Sequence, residues 1–112
     1  MQIKKTYTEV SPELLYAELR DFTLEQGAAL GENKMETFTV PDESASFGTR
    51  ATLVFYTGEG KAAKECLRAH IVGMARGETK LMIDVDEKLF AKAKLAALQS
   101  NLDFIFGCYE VK

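Results

Sequence analysis

The sequence predicts an α+β domain of order β-α-β(4)-α, an antiparallel sheet with a long C-terminal helix packed on one face. Two amphipathic helical stretches, 11–27 and 86–107, enclose a middle of alternating strand-like segments, and turn-forming residues separate those segments. Short turns between successive strands leave no room for a parallel crossover, so the middle reads as an antiparallel meander. The 112 residues suit a single domain, 1–112, with a core of its own.

The first strand is placed at 2–9, where Ile3 and Tyr7 alternate with Gln2, Lys4 and Thr6. "SPELLYAELRDFTLEQG" follows. Ser11 is an N-cap, Pro12 fits the first helical position, and Glu13 complements the positive helix end. Leu15, Leu19 and Phe22 make an apolar stripe with Leu14 beside it, and Gly27 terminates the helix. "KMETFTV" is a strand with Phe38 and Val40 on one face, and Pro41 with "DESASFG" forms the next turn.

"TRATLVFYT" places Ala51, Leu53 and Phe55 on one side and Thr52, Val54 and Tyr56 on the other. "GEGK" turns the chain into "AKECLRAHIVGMAR", residues 63–76. "ARGE" turns it again into "TKLMIDVD", where Leu81, Ile83 and Val85 oppose Lys80, Met82 and Asp84. In "DEKLFAKAKLAALQSNLDFIFG" Asp86 is the cap, and Ala91, Leu95, Leu98, Leu102 and Ile105 form the stripe. Phe90, Ala97 and Phe104 broaden that stripe, and Gly107 ends the helix.

A net charge of −3 argues against a broad nucleic-acid surface, which needs a basic footprint. No apolar run reaches the roughly 18 residues of a membrane span. The polar start "MQIKKTYTEV" is unlike a secretory signal. Cys66 and Cys108 form no metal or redox motif, so the expected setting is a reducing cytoplasm with both as small apolar residues. A disulfide between them depends on a separation that sequence does not give. Capping explains Asp84, Asp86 and Glu87 without a metal, and "TGEGKAAK" lacks the spacing of a phosphate loop. Neither metal nor cofactor is expected.

The lone histidine lies in the 63–76 strand, where Cys66, Arg68 and His70 alternate and would share a face. Cys66 and His70 would then stand about 13 Å apart, too far for a nucleophile and its base. Arg68 and His70, at roughly 7 Å, suit an anion better than covalent chemistry. The main expectation is an ordinary mixed strand face, and no catalytic residue is assigned. If Leu53, Phe55, Leu67, Ile71, Leu81 and Ile83 meet the helices, the opposite face carries Val54, Tyr56, His70, Val72, Met74 and Met82. Such a patch predicts a homodimer through this second face. The alternative is a scattered, half-polar surface.

"IKKTYTEVSPELLYAELRDF", "FGTRATLVFY" and residues 86–107 resemble the opening, the "GTR" strand and the closing helix of TATA-binding-protein-like and helix-grip domains. The latter superfamily includes START lipid-transfer domains, pollen-allergen-like proteins and polyketide cyclases. The chain is a short form that lacks their second small helix. The resemblance implies a sheet gripping the terminal helix, with a hydrophobic ligand between them. It carries over no catalytic residue.

The expected function is a small non-catalytic domain that binds an apolar or amphipathic small molecule, a protein partner, or both. Its pocket would be lined by Tyr7, Phe38, Phe55, Leu98 and Leu102, which would equally serve as a filled core. The competing expectation is a cyclase- or dehydratase-like enzyme using His70 with Arg68 or Tyr56, although no carboxylate stands at a supporting spacing.

Overall fold

Ser11 marks the first change of direction. β1 (Gln2–Thr8) ends before it, Glu9 turns the chain at φ 61°, and the Ser11 hydroxyl accepts the Leu14 amide at 3.1 Å. Pro12 and Glu13 then open α1 (Pro12–Glu25). Gly27 closes it at φ 94°, its amide donating to the Leu24 carbonyl at 3.0 Å. The deepest stripe of α1 is Leu15, Leu19 and Thr23, with the predicted Phe22 packed beside it and Leu14 49% exposed. The computed structural model describes residues 1–39, 47–74 and 77–111. Val40, the Pro41 turn, most of "DESASFG", and Ala75 and Arg76 of the later turn lie outside the described residues, as do the side chains of Thr39, Phe47 and Met74.

Four further strands follow: β2 (Ala29–Thr39), β3 (Phe47–Thr57), β4 (Lys64–Met74) and β5 (Glu78–Val85). They form one antiparallel sheet in the order β1-β5-β4-β3-β2. β2 begins five residues before the predicted start at Lys34. Its polar early residues belong to an edge strand, which needs no apolar alternation to pair on one side. The register slips between Leu30 and Asn33, and Gly31 lies under the Tyr56 ring, where a Cβ would come within 2.1 Å of it.

The closing helix is shorter than its sequence pattern suggests. α2 spans Lys92–Phe106, and the chain from Asp86 to Phe90 is a separate turn. Asp86 does cap, but it caps that turn: its Oδ1 accepts the Lys88 amide, and its carbonyl accepts the Leu89 and Phe90 amides at 3.0 and 2.8 Å. Ala91 is extended at ψ 146° and starts the helix without a side-chain cap. Leu95, Leu98 and Leu102 face the sheet, Phe106 completes the stripe, Ile105 is half-buried and Ala91 is exposed. Phe104 points away, 90% exposed.

Both helices cover the same face. Ile3, Tyr7, Leu53, Phe55, Leu67, Ile71, Leu81 and Ile83 join Leu15, Leu19, Leu98, Leu102 and Phe106 in one buried cluster. α1 lies over β2, β3 and β4, while Tyr7 on β1 meets Phe106 of α2 at 5.7 Å between ring centres. Burying each such side chain contributes about 1.5–3 kcal/mol, so this single interface dominates stability. Two contacts fix how α1 sits. Gly73 on β4 lies so close that a Cβ there would meet Pro12 Cγ at 2.1 Å, and the buried Thr79 hydroxyl donates to the Val10 carbonyl at 2.6 Å.

Candidate functional site

The strand register lays out the other, helix-free face as a grid. One row crosses the sheet as Lys4, Met82, His70, Thr52 and Lys34; the next runs Thr6, Lys80, Val72, Arg50 and Glu36. A third carries Gln2, Asp84, Arg68 and Val54. His70 stands at the centre, its Nδ1 3.4 Å from the Thr52 hydroxyl.

Cys66 is not on this face. β4 has one extra residue where Phe55 pairs with Leu67 and Tyr56 with Glu65, so Cys66 turns inward beside Leu67 while Arg68 and His70 point outward. Its thiol donates to the Phe55 carbonyl at 3.5 Å, and burial pushes its pKa up, which suits an inert structural cysteine. Both cysteines are free: Cys66 is buried and Cys108 exposed. Alternation alone hid the bulge, since no glycine or proline signals it.

Of the acid–base groups named from the sequence, Arg68 and His70 line one groove on this face, while Tyr56 stands apart. Arg68 holds Glu65 through two bonds, at 2.8 and 3.3 Å. Tyr56 lies four positions along β3 from Thr52, the residue opposite His70, which is about 13 Å on an extended strand and beyond hydrogen-bond reach.

Of the side chains predicted to line a pocket, the structure unites four. Tyr7, Phe55, Leu98 and Leu102 are each at most 1% exposed and belong to the packed core. Phe38 departs from the expectation. Its pairing with Gly48 puts it on the helix-free face, stacked on that glycine, with the Arg50 guanidinium 5.3 Å from the ring centre. Alternation within "KMETFTV" does not say which of its two faces meets the helices, and the pairing with Gly48 settles it.

The described side chains of the predicted interface share the helix-free face but not equal exposure. Val54 is 1% exposed, Tyr56, His70 and Met82 are half-buried, and Val72 is 37% exposed; the Met74 side chain lies outside the described residues. The apolar surface is therefore interrupted by Lys4, Lys80, Arg50 and Arg68 rather than continuous.

Among the described residues, two grooves lie on this face. Over β4, β5 and β1 a half-open groove of about 420 Å³ has Val72, Met82 and Val111 as apolar surface, with Lys4, Lys80, His70 and Glu110 around them. Val111 arrives there because the tail pairs with β1: the Val111 amide donates to the Thr6 carbonyl at 2.7 Å, and Glu110 bridges Tyr7. Lys5, on the helix side of β1, holds the tail through Glu110 at 3.2 Å and α2 through Asp103 at 3.4 Å. Burial alone would lower the Lys5 pKa, but Glu110 and Asp103 together outweigh it and raise it.

Over β2 and β3 the second groove, about 360 Å³, is charged, lined by Glu32, Lys34, Glu36, Arg50 and Arg68. Its cations are paired: Glu36 takes Lys34 at 2.6 Å and Arg50 at 3.9 Å, Glu65 takes Arg68 at 2.8 Å, and the Lys34 hydrogen bond holds the Glu36 carboxyl below its ordinary range. Among the described residues Lys4 and Lys80 have no such carboxylate. No group of three metal-ligating side chains occurs among the described residues, and no helix there is long and apolar enough to cross a membrane. Comparison with family models, curated proteins and solved structures yields no match to this chain, and the site is therefore read from its geometry.

Proposed function

We propose that this is a non-catalytic binding domain whose β4–β5–β1 groove takes an amphipathic small-molecule anion. The apolar body lies over Val72, Met82 and Val111, and the anionic head sits between Lys4 and Lys80. The observation that carries this reading is the pair of lysines without carboxylate partners among the described residues, set around an apolar floor. A groove of about 420 Å³ falls in the size range of small-ligand sites. The same lysines weigh against the homodimer through the second sheet face, because stacking two copies would desolvate unpaired ammonium groups. A small anion instead neutralises them.

The test compares two fluorescent probes of one shape, anionic 1-anilinonaphthalene-8-sulfonate and neutral N-phenyl-1-naphthylamine. The anion is expected to bind about tenfold more tightly, to lose that advantage in K4Q/K80Q, and to weaken as salt screens the lysines. Equal binding of both probes, or an anion preference unchanged in K4Q/K80Q, refutes the reading.

A further inference from the structure

The two edges of the sheet are finished differently. At β1 the tail covers Thr6–Thr8 through the Tyr7–Glu110 bridge, the Val111 amide, and a hydrogen bond from the Thr8 hydroxyl to the Tyr109 carbonyl at 3.4 Å. At the opposite end β2 is the last of the five strands, eleven residues long, with nothing paired to its outer side among the described residues. Its side chains from Gly31 to Met35 are exposed, Met35 by 39%. An open edge of this length is a template for another strand.

We propose that the occupant is a second copy of this chain, pairing β2 with β2 in antiparallel fashion about a two-fold axis through Met35. Helix-free faces stay on the same side of the joined sheet only if the axis passes through a residue, because side chains alternate. Among these, the axes at residues 34, 35 and 36 lie on the regular stretch that follows the Leu30–Asn33 register slip. An axis at residue 34 sets Lys34 against its own copy, and one at residue 36 does the same with Glu36. The axis at Met35 sets each Lys34 opposite the other copy's Glu36 and each Asn33 opposite Thr37, with the two methionines together on the helix side. Opposite charges placed directly across strands favour pairing, and like charges oppose it. The stretch is self-complementary in this one register of the three. This edge is remote from the lysine groove, so the proposal stands independently of the ligand reading.

Charge exchange between chains tests it. Light scattering across a concentration series should show the wild-type mass rising toward twice that of one chain. K34E and E36K should each self-associate at least tenfold more weakly, since each sets like charges opposite one another. Mixed in equal amounts, the two variants should form a one-to-one heterodimer by native mass spectrometry, because each then supplies the charge the other lacks. Wild type that stays monomeric throughout, or single variants that dimerise as wild type does, overturns the proposal. So does a wild-type dimer lost in V72E but kept in K34E, which would place the contact on the helix-free face.

Discussion

The two faces of the sheet are built from the same strands by the same alternation, yet they solve opposite problems. On the helix side the strands supply apolar side chains to one cluster, and the polar groups there are exceptions: Thr79 bonds Val10, Lys5 holds Asp103 and Glu110, and the Tyr7 and Thr23 hydroxyls have no partner among the described residues. On the other side charge is the rule. It is internally balanced over β2 and β3 and unbalanced around the β4–β5–β1 groove. The covered face thus sets stability, while the open face holds the chemistry left over for recognition.

The sharpest way to break that division is to remove a keystone from the covered side. Phe106→Ala deletes a ring that is 2% exposed and packs on Tyr7, and is expected to cost about 3–5 kcal/mol in denaturant unfolding. Val54 tests the comparison from the other side. It belongs to the open face but is 1% exposed, so Val54→Ala should cost about 2 kcal/mol, far more than a surface change, whereas Val72→Ala should cost under about 1 kcal/mol.

Lys5→Met should cost about 1 kcal/mol, limited by solvent screening. Because the folded Lys5 pKa is raised, its contribution is fully present below the ordinary lysine value and is lost as pH rises through the folded value. Wild type and variant should therefore converge only in alkaline solution. The smallest effect is expected at Tyr7, whose buried hydroxyl has no hydrogen-bond partner among the described residues and whose pKa is raised by burial, then by Glu110 and Asp103. Tyr7→Phe removes an unsatisfied group and should leave thermal stability unchanged or raise it by about 1 kcal/mol.

The covered face was legible in the sequence because burial imposes strict periods. Leu53, Phe55, Leu67, Ile71, Leu81 and Ile83 all lie where alternation predicts, and Leu95, Leu98 and Leu102 where the helical repeat does. What escaped detection depended on local irregularity. The bulge at Cys66 reverses a face without a glycine or proline at the extra position to betray it, while the alternation of "KMETFTV" leaves open which face meets the helices, so Cys66 and Phe38 were misplaced for different reasons. Asp86 is not the cap of the closing helix that the sequence suggests: it caps a lone turn, and the extended Ala91 that separates the two carries no compositional mark. The groove was invisible for a different reason: Val111 and Lys80 are distant in sequence, and only the docking of the tail on β1 brings them together.

Gly73 sets the thickness of the molecule. With Pro12 seated directly on its backbone, the first helix comes close to the sheet at its N-terminal end, and Leu15 and Leu19 further along it join the layer below. A methyl group at residue 73 would act as a shim under one end of the helix, prying the layers apart from the Pro12 side first and letting solvent in along the seam.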